Sequence, residues 1–326
     1  MMLATITIDT EPDNVWGNFR SRGLENIRSL ERFHDFMTEW GVPPTYLITY
    51  SVASDPDAVS RLQRFAQKGP LEVGTHPHAW ETPPYLRDES DRLYPVFAHD
   101  LPPDLVHRKL QTLTERIGEN FPRPISYRAG RFGFAREHIQ ILESLGYAVD
   151  SSITPLEDRS GKYGLPAALG GTGGRDYRSA PFEPYHPNYE DDLTHGSARL
   201  LEVPVTVGTT RSWPGVLPLH RNGPELLQRM LRKARISEVV IASPAEYAWS
   251  HLERLLSTCL YSGRTVFNFV LHSSETMAGG APWVRDDTAV GVLYDRFRRS
   301  IVWLRERAGA RFVTLGEIAA HLPSAR

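Results

Sequence analysis

The chain has 326 residues, 40% of them apolar and 23% charged, with a formal net charge of -2. That composition belongs to a globular protein able to bury a full-sized core, and the near-neutral balance, without any basic run interleaved with aromatics, argues against a nucleic acid or an anionic membrane surface as partner. A single cysteine, Cys259, excludes an internal disulfide and any multi-cysteine zinc site; set in an apolar helical run, it reads as a buried, inert thiol.

No run is long and apolar enough to span a bilayer. No basic segment leads into an apolar stretch with a small-residue cleavage site. With Met1 as the start, this predicts a cytoplasmic protein. There is no internal repeat and no low-complexity tract, and no proline-rich linker with a composition shift divides the chain, so one domain spanning 1–326 is expected.

The predicted elements alternate. Leu3 to Ile8 is β-branched and apolar and reads as a buried strand. It stops at Asp9-Thr10-Glu11-Pro12, two acids at i and i+2 whose side chains leave an extended chain from the same face. Leu24 to Trp40 has Leu24, Ile27, Leu30, Phe33 and Met37 at helical spacing, closed by Gly41. Pro44 to Thr49 is a strand. Asp55-Pro56 caps and opens a helix to about Lys68. Leu71 to Thr75 is a third strand, ending at His76-Pro77-His78. The segment 80–100, with Trp80 and Tyr85, reads as an ordered loop.

Pro102 to Asn120 is a predicted helix. Ile125 to Tyr127 is a short strand ending at Arg128-Ala129-Gly130-Arg131, and Phe134 to Leu145 is a helix. Tyr147 to Val149 is a strand ending at Asp150. Residues 153–199 lose all periodicity, and a structureless loop of that length is more often functional than neutral. Leu200 to Val207 is a predicted strand, followed by helices near 223–234 and 244–261. Thr265 to Leu271 is an apolar strand ending at His272. A helix over 288–307, a short strand at 312–314 and a helix over 315–322 close the chain. Strands alternating with helices, joined by connections long enough for parallel crossovers, predict an α/β fold: an irregular barrel of parallel strands with its long loops at the strands' C-terminal ends.

Five strands end in chemistry: Asp9/Glu11, His76/His78, Arg128/Arg131, Asp150 and His272. The C-terminal ends of parallel barrel strands converge on one face. Each group has a plain structural reading, as a turn cap, a core histidine or a surface ion pair. The coincidence of five is what favours a site. A His-x-His facing an Asp-x-Glu offers two imidazoles and a carboxylate, a ligand set for a divalent metal with open positions; spacing alone leaves open which acid is the ligand. His272 has the chemistry of a general acid. Arg128 beside two acids can hold one of them ionised. Asp150 is the candidate for orienting a catalytic group. The loop aromatics Trp80, Tyr85, Tyr185, Trp213 and Trp283 could present faces to sugar rings, and Trp80, Tyr85 and Arg131 are the candidate substrate contacts.

On these residues the chain resembles the polysaccharide deacetylases (NodB-homology, carbohydrate esterase family 4). Thr7-Ile8-Asp9-Thr10-Glu11 is similar to the family's first motif, Gly74-Thr75-His76-Pro77-His78-Ala79-Trp80 to its second, Tyr127-Arg128-Ala129-Gly130-Arg131-Phe132-Gly133 to its third and Leu271-His272-Ser273 to its last. Phe312-Val313-Thr314-Leu315 is similar to the closing strand and helix. Thr10 separates acids that are commonly adjacent, and His-x-His-x-Trp replaces His-x-x-x-His. The resemblance implies a (β/α)7 barrel and metal-dependent removal of an acetyl or related acyl group from a sugar. It makes Asp9 the general base held by Arg128, Glu11, His76 and His78 the metal ligands, and His272 the general acid. Zinc is the first expectation, with cobalt, manganese or nickel as alternatives. The implied partner is an acetylated sugar or glycoconjugate, with no nucleic acid; oligomeric state is not implied. Two other readings keep the fold: a hydrolase of non-sugar amides or cyclic imides, and a carbohydrate-binding protein without activity.

Overall fold

The structure, a computed structural model, describes residues 1–322 except 14, 88, 212–214 and 235. Ten strands run in chain order: β1 (Leu3–Thr10), β2 (Pro44–Ile48), β3 (Glu72–Thr75), β4 (Ser126–Tyr127), β5 (Val149–Asp150), β6 (Leu201–Glu202), β7 (Val207–Thr209), β8 (Val239–Ile241), β9 (Val266–His272) and β10 (Arg311–Phe312). Seven of them pair in parallel in the order β9-β1-β2-β3-β4-β5-β6, and β10 pairs with the start of β1. The sheet curls with helices around it. The gap between β6 and β9 is bridged by Thr206 N–H to the Asn268 carbonyl at 2.9 Å and Asn268 N–H to the Thr206 hydroxyl at 2.8 Å. This is the α/β barrel expected from the alternation of elements.

β1 is buried at all eight positions. Its period-2 alternation sends Ala4, Ile6 and Ile8 outward into an apolar layer with the helices Asn26–Glu39, Trp249–Tyr261 and Asp287–Ala308. Thr5, Thr7 and Asp9 are left on the other face, toward the interior of the curl. Helix Pro56–Lys68 starts where expected, because the Asp55 carboxylate accepts from Ala58 N–H at 2.8 Å and proline costs nothing at the first helical position. Helix Leu315–His321 opens with a Thr314/Glu317 capping box, and its Leu315 and Ile318 pack with Leu3, Leu47, Val149 and Val266. It closes the end at which the strands begin, leaving the other end for chemistry.

The expected single strand Leu200–Val207 divides. Pro204 has no N–H to donate, so the ladder stops at Glu202. Val203 and Val205 keep single bonds to the Asp150 and Ile153 carbonyls, and the chain then turns away as β7, antiparallel to β8. Strand β8 and helix Val216–Asn222 fall in two stretches for which the sequence predicts no element. Residues 153–199 hold one short 3-10 turn, at Ala167–Leu169, and are tied by isolated bridges such as Tyr185↔Glu202.

Candidate active site

Glu11, His76 and His78 each offer one ligand atom, and these atoms lie within 4.8 Å of one another, all buried. Glu11 Oε2 is 3.1 Å from His78 Nε2 and 3.7 Å from His76 Nε2. The His76 Nδ1 faces the Arg128 carbonyl at 3.0 Å, a contact that puts the proton on Nδ1 and leaves the Nε2 lone pair aimed at the acids. Trp80 backs His78, its ring stacked at 4.4 Å and 28°. Gly130 makes the approach possible: a Cβ there would sit 2.5 Å from the Pro77 carbonyl oxygen and 2.6 Å from His78 Cδ2. Donors of this kind at this spacing fit a divalent cation. Burial pushes the Glu11 carboxyl up, but hydrogen bonds from His76 and His78 outweigh it and hold it far below the usual carboxylate range.

Asp9 pairs in register with His272 across β1 and β9. Its Oδ1 accepts from Arg128 Nη1 at 2.7 Å; its Oδ2 faces His76 Nε2 at 3.9 Å and His272 Nε2 at 3.8 Å. Arg128 is fully buried. Its Nε donates to the Ser151 carbonyl at 2.7 Å, and its Nη2 to the Thr7 and Ser151 hydroxyls at 2.8 and 2.9 Å. Asn268 Nδ2 donates to the same Ser151 hydroxyl at 2.8 Å. Burial raises the Asp9 pKa, and Arg128 first, then His76 and His272, more than reverse it, so the carboxyl is held below its ordinary value.

The architecture carrying this cluster has solved counterparts. No family model matches the sequence, and no curated protein does. Among solved structures, one from Mycobacterium smegmatis, provisionally described as a polysaccharide deacetylase, superposes with a TM-score of 0.56 at 13% identity, covering 100% of this chain and 94% of that one. Another, from Parabacteroides distasonis and provisionally described as a glycoside hydrolase/deacetylase, gives 0.60 at 14% identity, over 98% of this chain and 70% of that one. The chain has the polysaccharide-deacetylase fold.

At the far side of the centre of this deacetylase fold, His272 stands between Asp9 and a residue that sequence reasoning missed, Glu275. Glu275 Oε2 accepts from the His272 backbone N–H at 2.7 Å and lies 3.5 Å from its Nδ1; Oε1 accepts from Trp283 Nε1 at 2.7 Å. Burial opposes protonation of His272, but Glu275, then Glu11 and Asp9, raise its pKa to about 10. Trp16, also missed, sets its ring edge-on to His272 at 4.6 Å and to Trp283 at 4.9 Å. A signal for Glu275 exists in the sequence: an acid three residues after a strand-ending histidine, where a short helical turn brings it back. Thr7 and Asn268 were legible by parity, since they share strand faces with Asp9 and His272. No local pattern marks Trp16.

The remaining candidates are placed differently. Asp150 is fully buried behind Arg128, with Oδ1 accepting from the Ser152 hydroxyl at 2.5 Å; that hydroxyl in turn accepts from Ala129 N–H at 2.8 Å. Burial pushes the Asp150 pKa up to about 6 and, with the Asp150 charge beside it, that of neighbouring Glu202 well above its ordinary value. Arg131 is committed elsewhere, donating to the carbonyls of Pro95 and Tyr163 and lying over the Phe97 ring at 4.1 Å. Tyr85 donates to the Glu81 carbonyl at 2.8 Å, with Arg92 and Lys109 over its ring. Tyr185 is buried and donates to the Asp192 carbonyl. Trp213 lies outside the described residues. Two open clefts, of 420 and 560 Å³, are lined by other residues, among them Pro83 and Glu115, and His99 and Arg175. Enclosure and donor chemistry, rather than void, mark the centre. Among the described residues no helix is long and apolar enough to cross a membrane.

Proposed function

We propose that the chain is a metal-dependent hydrolase that removes an N-acetyl or related acyl group from an amino sugar or sugar-containing precursor. The observation that carries this reading is the juxtaposition, on one barrel end, of the buried Glu11-His76-His78 group with Asp9–Arg128 on one side and His272–Glu275 on the other. Glu11, His76 and His78 would hold the cation; two imidazoles and a carboxylate suit zinc first, then cobalt, manganese or nickel. When bound, such a cation polarises an acyl carbonyl and acidifies water.

The chain's own groups supply the proton traffic. Asp9 stays ionised because Arg128 holds Oδ1. Oδ2 is therefore the oxygen that takes the proton from attacking water. His272 is charged at neutral pH and presents Nε2 toward Asp9 and the centre, while Nδ1 faces Glu275. It delivers its proton to the departing nitrogen, the step an amide requires because an amine anion is a poor leaving group. Arg128 and Glu275 are positioning residues. Asp150 acts further back, through Ser152 and the Ala129 backbone, on the turn that carries Arg128.

The test pairs metal content with acyl release. Wild type and His76→Ala/His78→Ala, purified without chelating resin, are assayed for metal per chain and for acetate or formate freed from a panel of N-acyl amino sugars. Near one metal per wild-type chain, little in the variant, and acid released only by the wild type are expected. A wild type that takes up no zinc, cobalt or manganese would sink the mechanism.

A further inference from the structure

Directly after Glu11 the chain makes an excursion that the strand-and-helix plan does not need. Asp13 closes its base: Asp13 N–H donates to the Gly23 carbonyl at 2.8 Å, and its carboxylate accepts from Glu25 and Asn26 N–H, both at 2.8 Å. Asn26 ties the same base to the centre, donating to the Glu11 carbonyl at 2.8 Å and the Ser273 hydroxyl at 3.1 Å. Residues 15–23 then arc across the end of β1. Trp16 meets His272 on the β9 side, and Phe19 sets its ring edge-on to Trp80, beyond β3, at 5.6 Å and 89°. Arg20 donates to the Leu93 carbonyl at 2.7 Å, and Arg22 lies 3.6 Å from the buried Glu81 carboxylate.

The effect on access is large. Asp9, Glu11, His76 and His78 are 1–3% exposed, whereas the His272 side chain is 16% exposed and Trp16 39%. Of these five groups the one that meets solvent is thus the one assigned to the departing nitrogen, with the Trp16 ring against it and Trp283 behind Trp16. The buried carboxylate and imidazoles are the groups that would act on an acyl group, so the sugar bearing it would stand on the exposed side, at His272 and Trp16. A sugar inside a polymer carries neighbours on both sides and needs open space for both; the segment from Trp16 to Arg22, held at His272, Trp80, Leu93 and Glu81, takes up space on that side of the centre.

We infer that residues 15–23 are a lid, with Trp16 as the ring platform, that confines the site to a single acylated sugar or a chain-terminal one and excludes internal units of a polymer. This rests on the hydrolase reading above, and the experiment separates the two. The first arm offers the zinc-loaded protein N-acetylglucosamine and its β-1,4-linked tetramer, with products mapped by fragmentation mass spectrometry. Acetate from the monosaccharide, and from one end only of the tetramer, is expected; loss of acetyl groups from internal units overturns the substrate class.

The second arm needs neither metal nor activity. Metal-stripped wild type and Trp16→Ala/Phe19→Ala are labelled with diethyl pyrocarbonate, and His76 and His78 are followed by peptide mass spectrometry. Labelling at least tenfold faster in the variant is expected, with protection restored in Trp16→Phe/Phe19→Leu. His34 and His138, buried elsewhere, report the intact fold. Equal rates with His34 and His138 still protected overturn the lid. Protected histidines without acetate from either sugar leave the lid standing and overturn the substrate class together with the hydrolase reading.

Discussion

Replacing Arg128 by Met removes the guanidinium that donates to the Asp9 carboxylate, at a site where Arg128 is fully buried and Asp9 1% exposed. Deleting one partner of a buried, hydrogen-bonded pair costs on the order of 3–5 kcal/mol, because the other charge stays behind without compensation. The Ser151 carbonyl and the Thr7 and Ser151 hydroxyls also lose their donor. Arg128→Lys keeps the charge but reaches at most part of the forked set, so about 1–3 kcal/mol is expected there. The pH dependence has a definite sign. In the wild type the folded-state pKa of Asp9 is depressed, so its contribution is present above the unfolded value of about 3.9 and is lost as pH falls through the lower, folded value. In Arg128→Met, burial without the cation raises that pKa, and the penalty disappears as Asp9 takes up a proton; the Asp150–Glu202 pair, which also feels Arg128, shifts in the same direction. The stability gap between wild type and Arg128→Met is therefore full at pH 7 and narrows on acidification. Urea denaturation of metal-stripped proteins from pH 7 to pH 4 measures it. A gap under about 1 kcal/mol at pH 7, or one that widens toward pH 4, would refute the assignment of Arg128 as the counter-ion of a buried, ionised Asp9.

Glu275→Gln weakens the hydrogen bond that does most to raise the His272 pKa and removes its charge; the descending, alkaline limb of the rate profile is expected to move to lower pH, with metal content unchanged, and titration of the His272 ring by NMR checks the shift independently. Gly130→Ala pushes a methyl group into the Pro77 carbonyl and the His78 ring, so thermal unfolding should show a loss of about 1–3 kcal/mol and zinc titration a weaker affinity. Cys259 is buried, and burial lifts its thiol to about 11; native protein should resist iodoacetamide at pH 8 and react once unfolded in urea, whereas rapid native alkylation would contradict its placement.

Much of the centre could be seen in the amino-acid sequence, for a local reason. Strand periodicity puts Asp9 and Glu11 on one face and marks where the strands of His76, Arg128 and His272 end, and parallel topology makes those ends meet. Parity could likewise have singled out Thr7 and Asn268, which the sequence reading passed over. What tertiary structure alone decided are pairings across long stretches of chain. Glu11 and the Ser273 hydroxyl are 262 positions apart, and Arg128 and Asp9 are 119. Arg131 and Tyr85 sit in the same motifs and loop as groups of the centre, yet packing turned them to backbone carbonyls, of Pro95 for Arg131 and of Glu81 in its own loop for Tyr85. Asp150 came to stand beside the buried Glu202 only because β5 and β6 lie side by side. Periodicity reports which face a side chain leaves from, which is local; what stands opposite it is set by burial of the whole sheet, which is not.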